Sequence, residues 1–438
     1  MSLAQNAKVQ EYLNNVCTYI KWGEVHEQVK LELLAHIEDC VLEYTAEGMK
    51  EQQAIEMAIS RMGDSVALGK QLHQTHKPPI NWLLLLIVAM LAGMGLFTLY
   101  SVEIQGLLMR HISVSVFTNS VVYVVIGLAV LLGLAYFDYR KLKFYGWHLF
   151  AGTMFVWLML LVFGGTMVNG KPYLNLGFIN INYVDVTPVL LAAALAGIFF
   201  NTDWSKPNWF VNTVLLLLVP NILYLMSSSW NTAVIYTVMF LVLMLLSGVS
   251  KKQLVGIATI PIGVFVFAIV TEPYMLKRML SFINPYNDPA GSGYIYIQSI
   301  ETIKLAGLWG QGFTFGGNLP ELHTDMIFSY IVYTFGWAGG AVVTMLALSL
   351  IAIMISAVKQ IKDSFGRLLV SGLTSILALH FIWSILMTLG YAPISGISLP
   401  FFSYGGSQTV INMAMMGMVL SVYRRKNLFT SPSPITIN

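Results

Sequence analysis

From Pro78 to Arg424 the chain is a succession of apolar runs, each near the roughly 20 residues a helix needs to cross about 30 Å of hydrocarbon. Ten such runs follow one another between short polar breaks, at about 80–100, 116–136, 147–168, 186–201, 209–227, 230–248, 254–271, 326–357, 367–389 and 405–424. The first 76 residues have a different pattern. Within Val29, Leu31, Leu33, Leu34, Ile37, Val41 and Leu42 an apolar stripe advances by three or four, as from Leu34 to Ile37 and from Ile37 to Val41, the mark of a helix that buries one face. Gly48 breaks that helix, a second runs from about Glu51 to Met62, and Gly63-Asp64-Ser65 ends it and supplies the N-cap of a third. The pattern predicts an all-α polytopic membrane protein. Residues 1–76 form a small helical domain and 77–438 a bundle of about ten transmembrane helices.

Composition adds a solvent and an orientation. The chain is 56% hydrophobic and 10% charged, against about 25% charged in a soluble domain, so its solvent is lipid. A net charge of +3 without a basic stripe excludes nucleic acid as a partner. Eleven of the 21 acidic residues lie before position 77, and the N-terminus lacks the apolar core of a signal peptide. The domain 1–76 is therefore expected in the cytoplasm, with Cys17 and Cys40 as reduced thiols. Alternate loops then carry twelve and five cations. The twelve are Arg140, Lys141, Lys143, Lys206, Lys251, Lys252, Lys359, Lys362, Arg367, Arg424, Arg425 and Lys426; the five are Arg110, Lys171, Lys277, Arg278 and Lys304. Positive charge stays inside, so both termini are expected in the cytoplasm. The longest loop, Glu272 to Asp325, then lies between spans seven and eight on the extracellular side. A connection of more than fifty residues in a tightly looped chain is where function is expected.

That loop holds Asn284-Pro285-Tyr286-Asn287-Asp288-Pro289-Ala290-Gly291-Ser292-Gly293-Tyr294, then Gly307-Leu308-Trp309-Gly310-Gln311-Gly312, then Leu319-Pro320-Glu321-Leu322-His323-Thr324-Asp325. Ahead of the last span stands Pro393-Ile394-Ser395-Gly396-Ile397-Ser398-Leu399-Pro400-Phe401-Phe402-Ser403-Tyr404-Gly405-Gly406-Ser407. On these two blocks, roughly residues 80–426 resemble the SEDS family (FtsW, RodA and SpoVE), whose members polymerise peptidoglycan from lipid II at the bacterial cytoplasmic membrane. Residues 1–76 resemble the prefix domain found ahead of bacterial permeases, through Glu47-Gly48-Met49 and Arg61-Met62-Gly63-Asp64. The resemblance implies a peptidoglycan glycosyltransferase serving shape, division or sporulation, with Asp325 as its catalytic residue. It also implies a class B penicillin-binding transpeptidase as partner.

Glycosyl transfer from a lipid diphosphate needs a base for the acceptor hydroxyl, positive charge near the departing diphosphate, and access from lipid. Asp325, where the loop meets an apolar span, is suited to the first role because partial burial makes a carboxylate a better base. Lys277 and Arg278 are candidates for the second. Glu321 lies four residues before Asp325, so in a helical turn the two carboxylates share a face and could hold a divalent cation, magnesium or manganese. His323, Ser403, Tyr404 and Asp185 complete the candidate substrate site. Each has a plainer alternative: Asp325 as a helix N-cap, the Lys277-Arg278 pair as headgroup anchors, His323 as a hydrogen-bonded structural residue.

Several positions depart from the family pattern. Asn182-Tyr183-Val184-Asp185 stands for Gln-Pro-Ser-Glu, with Pro188 in place of a lysine and Tyr173 in place of a tryptophan. Ser227-Ser228-Ser229-Trp230-Asn231-Thr232 stands for Gln-Pro-Asp-Leu-Gly-Thr, Tyr333 and Thr334 for paired glutamates, Ser384 for an asparagine and His380 for a glutamine. Two other readings follow from the composition of the spans. One is a transporter or flippase for a lipid-linked precursor, which calls for charges along a membrane path where only Asp185 offers one. The other is a catalytically impaired scaffold for a cell-wall synthesis partner.

Overall fold

The computed structural model describes residues 3–75, 77–107, 115–163, 166–168, 170–175, 180–206, 208–271, 273–316 and 319–426. Arg110 and Glu272, named above from the sequence, lie outside the described residues. The chain divides into two compact units, Met1–Ile80 with Arg424–Asn438, and Asn81–Tyr423.

The first unit contains α1 (Ala7–Thr18), α2 (His26–Ala46), α3 (Glu51–Met62) and α4 (Ser65–Thr75), one helix more than the pattern predicts. The additional helix is α1, which Asn6 caps by accepting from the Lys8 backbone N–H at 3.0 Å. It buries Val9, Leu13 and Val16 against Val29, Ile37 and Ala58. In α2 the buried stripe is Val29, Leu33, Ile37 and Val41, while Leu31 and Leu42 are exposed. Arg425, from the C-terminal part of this unit, is buried and grips Glu24 through Nε and Nη2 at 2.7 and 2.6 Å.

The second unit begins with α5 (Trp82–Ile104), α6 (Val116–Tyr136) and α7 (Gly146–Val162). A three-stranded antiparallel sheet follows: β1 (Thr166–Val168), β2 (Lys171–Asn175) and β3 (Asn180–Asn182), with Tyr173 opposite both Thr166 and Asn182. Next come α8 (Tyr183–Phe200), α9 (Trp209–Met226), α10 (Trp230–Leu246), α11 (Lys251–Thr271), α12 (Pro273–Ile283), α13 (Tyr294–Leu305), α14 (Ile327–Gln360), α15 (Ser364–Thr388) and α16 (Gly406–Arg424). Among the described residues seven helices are long and apolar enough to cross a membrane: α5, α6, α7 with the turn before it, α8, α9, α14 and α15. The remaining three apolar runs of the sequence fall on α10, α11 and α16.

The most enclosed span is α8. Its run Ala192-Ala193-Ala194-Leu195-Ala196-Gly197 presents little side-chain bulk, which lets α7 and α15 approach its backbone. A Cβ at Gly146 of α7 would lie 2.9 Å from the Ala194 carbonyl oxygen, so that crossing tolerates only glycine. The prolines inside α8 and α9 would each orphan a carbonyl four residues back, a costly loss in lipid. Both carbonyls find side chains. Pro188 frees Val184 O, which accepts the Thr187 hydroxyl at 2.8 Å. Pro220 frees Leu216 O, which accepts the Tyr236 hydroxyl at 2.5 Å.

Helix α14 breaks at Gly336, whose φ of 73° and ψ of −179° are not helical. The break diverts the bonds that Trp337 and Ala338 would make within the helix. The loop 307–312 supplies the replacements: Trp337 N donates to Gly307 O and Ala338 N to Leu308 O, both at 3.1 Å. In the opposite sense Gln311 N donates to Tyr333 O at 2.8 Å and Gly312 N to Thr334 O at 3.1 Å. A Cβ on Gly336 would overlap the Leu308 carbonyl, and one on Gly310 the Thr334 carbonyl, so the two backbones meet glycine to glycine.

Candidate active site at the start of helix α14

Residues 319–326 form turns ahead of α14, not the helical turn that would stack Glu321 on Asp325. Glu321 is left-handed, with φ of 53°. Its carbonyl accepts from Thr324 N and Met326 N, and its carboxylate from the Thr324 hydroxyl at 2.7 Å. Leu319, Leu322 and Met326 pin the turn into a small core with Tyr296, Tyr330, Met387 and Ile394.

The second motif block closes over this turn. Tyr404 N donates to His323 O at 2.8 Å, and the Ser403 hydroxyl donates to Thr324 O at 2.6 Å while accepting from Leu399 N at 2.8 Å. Tyr296 of α13 accepts from Ile394 N at 2.7 Å, and Trp383 Nε1 donates to Pro393 O at 3.1 Å. Ser403 is thereby buried and occupied as a tie between the blocks. The ring of Tyr404 lies 6.0 Å from that of His323, whose burial lowers its affinity for a proton.

Asp325 lies half-buried within this frame. Gly396, with φ of 66°, comes so close that a Cβ there would sit 3.5 Å from Asp325 Oδ2. Burial pushes the Asp325 carboxyl up to about 6; the charges of Glu321 and Asp185 push the same way, and those of Lys171 and Arg278 oppose them. Four charged groups therefore act on Asp325. Arg278 stands over the Trp230 ring, 5.9 Å from its centroid.

Lys277 is placed elsewhere. It pairs with Asp288 at 3.2 Å and is largely exposed. Asp288 also accepts from Ser292 N and the Ser292 hydroxyl at 3.1 and 3.0 Å, and these bonds, led by the backbone one, hold its carboxyl below the usual range. The second cation near Asp325 is Lys171, at the start of β2, where sequence reasoning did not look. Gly170 sets Lys171 there: its φ of 77° turns the β1–β2 hairpin against Ser228, which a Cβ at Gly170 would meet at 3.0 Å. The one signal for Lys171 in the sequence is that it is a cation on the cation-poor side of the bundle.

Asp185 sits in the first turn of α8, accepting from Asn182 Nδ2 at 2.7 Å. It borders a polar cavity of about 30 Å³ together with Asn231, His380, Gly396, Ser398 and Gln408. Among the described residues no three His, Cys, Asp or Glu side chains converge as metal ligands. The pair of carboxylates expected to share a helical face is not formed, because Glu321 stands in a left-handed turn with its carboxylate accepting from the Thr324 hydroxyl.

Residues 81–428 match the model of the cell cycle protein family FtsW/RodA/SpoVE. The chain belongs to that family. Among its relatives, a probable peptidoglycan glycosyltransferase FtsW of Geobacter is 27% identical over 357 residues, 79% of this chain and 97% of that protein. The peptidoglycan glycosyltransferase MrdB of Escherichia coli is 26% identical over 372 residues, 82% of this chain and 96% of that one. The same fold occurs in a chain of a peptidoglycan synthase complex that coordinates polymerization and crosslinking, with a TM-score of 0.67 at 23% identity over 80% of this chain and 99% of that one. It occurs also in the rod shape determining protein RodA of Thermus thermophilus, with a TM-score of 0.59 at 21% identity over 80% and 98%. Within this family the departures of the chain acquire places. Where the family pattern has a lysine, Pro188 frees the Val184 carbonyl and the Thr187 hydroxyl donates to it. Tyr333 and Thr334 lend their carbonyls to the loop 307–312, and His380 borders the cavity of Asp185.

Proposed function

We propose that this protein is a peptidoglycan glycosyltransferase that polymerises lipid II at the outer face of the bacterial cytoplasmic membrane, with both termini in the cytoplasm. The observation that carries the reading is the position of Asp325. It is a carboxylate half-sheltered from water, made more basic by burial, with the cations Lys171 and Arg278 in its field. Asp325 takes the proton of the acceptor sugar hydroxyl as that oxygen attacks the anomeric carbon. Lys171 and Arg278 stabilise the diphosphate as the glycosidic bond to it breaks.

An apolar cavity of about 370 Å³ between α9, α10, α11 and α15 supports the lipid end of this reading. Leu217, Val234, Phe265 and Trp383 line it, and so does Trp230, the residue beneath Arg278. A polyprenyl tail seated there brings its diphosphate to Arg278. A magnesium or manganese ion held by Glu321 and the diphosphate oxygens would neutralise leaving-group charge. The partner that crosslinks the product is a class B penicillin-binding transpeptidase.

The test is polymerisation of labelled lipid II by purified protein, alone and with the transpeptidase. Wild type is expected to give glycan strands and Asp325→Ala none. Strands from Asp325→Ala at the wild-type rate would remove Asp325 from the mechanism.

A further inference from the structure

Helix α12 carries two cations and no acid, and its side chains divide into two faces. One face is packed on the protein. The Phe282 ring lies 6.3 Å from that of Tyr296 in α13, Ser281 Oγ is 2.5 Å from Ser292 Oγ, and Arg278 stands over Trp230 at the start of α10. The other face is apolar and uncovered. Leu276, Leu280 and Ile283 are 43, 54 and 75% exposed. At about 100° of rotation per residue these three fall within roughly 60° of one another, with Lys277 on their flank and Arg278 nearly opposite.

Three large aliphatic side chains aligned on one helix face mark a surface that something other than water covers. The surroundings specify lipid. Helix α11, which precedes α12 by a single residue, leaves Ile262, Val266 and Val270 exposed on one side, as an apolar helix facing hydrocarbon does. The stripe of α12 takes up where that one ends. An apolar stripe flanked by a cation, in a helix without acids, is also the pattern of helices that lie in the interface of a phosphate-bearing bilayer.

We propose that α12 is an interfacial helix of the outer leaflet, with Leu276, Leu280 and Ile283 set among the acyl chains just beneath the headgroups. Arg278, on the inward side of the same helix, is thereby held near the depth at which membrane lipids carry their phosphates. A lipid diphosphate meets this cation without leaving the plane of the bilayer. Arg278 gains its depth from the stripe, so Leu276, Leu280 and Ile283 are positioning residues for it. The choice of leaflet and of diphosphate rests on the glycosyltransferase reading, whereas the contact of the stripe with lipid does not.

The test places nitroxide labels on the full chain, in a Cys17→Ala, Cys40→Ala background, in vesicles of phosphatidylethanolamine and phosphatidylglycerol. The labels go on Leu276→Cys, Leu280→Cys and Ile283→Cys. Each is expected to show a several-fold higher ratio of oxygen to nickel-chelate accessibility than Tyr286→Cys, a position 61% exposed beyond the helix. Equal ratios at all four positions would leave the stripe in water, and screening of the three from both reagents would put protein over it, a second copy included. Either result overturns the proposal. In the polymerisation assay, Leu280→Glu combined with Ile283→Glu should raise the KM for lipid II several-fold while kcat stays within about twofold. A wild-type KM would remove the role in positioning Arg278. Absence of polymer from wild type defeats the glycosyltransferase reading, and the accessibility pattern still decides whether α12 lies in lipid.

Discussion

Lowering the pH from 7.4 to 5.0 tests Asp325 without changing a residue. With the carboxyl at about 6, roughly 96% of it is ionised at pH 7.4 and roughly 9% at pH 5.0, so the initial rate of polymerisation falls about tenfold. A carboxyl at its ordinary 3.8 would still be about 94% ionised at pH 5.0, and the rate would barely move. Asp325→Asn removes the base and is expected to cost about 10² to 10⁴ in rate. The same shift has a stability counterpart of fixed sign. The folded protein binds this proton more tightly than the unfolded chain, so ionising Asp325 costs stability above pH 6, and that cost vanishes below 3.8. Asp325→Asn should therefore raise the Tm at pH 8, by the equivalent of at most about 3 kcal/mol, and leave it unchanged at pH 3.5. A rate flat down to pH 5.0, together with an unchanged Tm at pH 8, would refute the argument from burial.

Three further outcomes follow from the packing. Lys171→Ala should move the acid midpoint of the rate upward and raise the KM for lipid II, whereas Lys277→Ala, which breaks only the exposed pair with Asp288, should change neither; rate–pH profiles of the two variants decide it. Thr187→Val leaves Val184 O without its donor inside α8 and should destabilise the protein by about 1 to 3 kcal/mol, read as earlier loss of helix on heating. Gly336→Ala drives a methyl group into the Leu308 carbonyl and should release the loop 307–312, read as faster amide hydrogen exchange at Gln311 and Gly312 with little change at α8.

The apolar runs predict the large helices well because span length is fixed by lipid thickness and depends on little else. The two motif blocks also point to the right place, since both close around Asp325. The choice of cations is less legible. Lys277 and Arg278 are adjacent in sequence, but one residue of α-helix is about 100° of rotation, so one meets Asp288 and the other Trp230. Lys171 gains its position from a hairpin of three-residue strands, too short to show an alternating pattern. Helix α1 has its apolar spacing in Val9, Tyr12, Leu13 and Val16 with Asn6 marking its start, so it is as legible in the sequence as α2. Glu321 fails to stack on Asp325 because the turn between them is built on a left-handed residue, which sequence spacing alone does not reveal.

The exchange of hydrogen bonds at Gly336 divides the longest helix into two mechanical parts. Residues 327–335 are stitched to the 307–312 loop by the very groups that would otherwise bind them to the remainder of α14. A load on that loop is therefore delivered first to the short stub that follows Asp325. A protein seated on the loop has a lever on the reacting carboxylate without touching it.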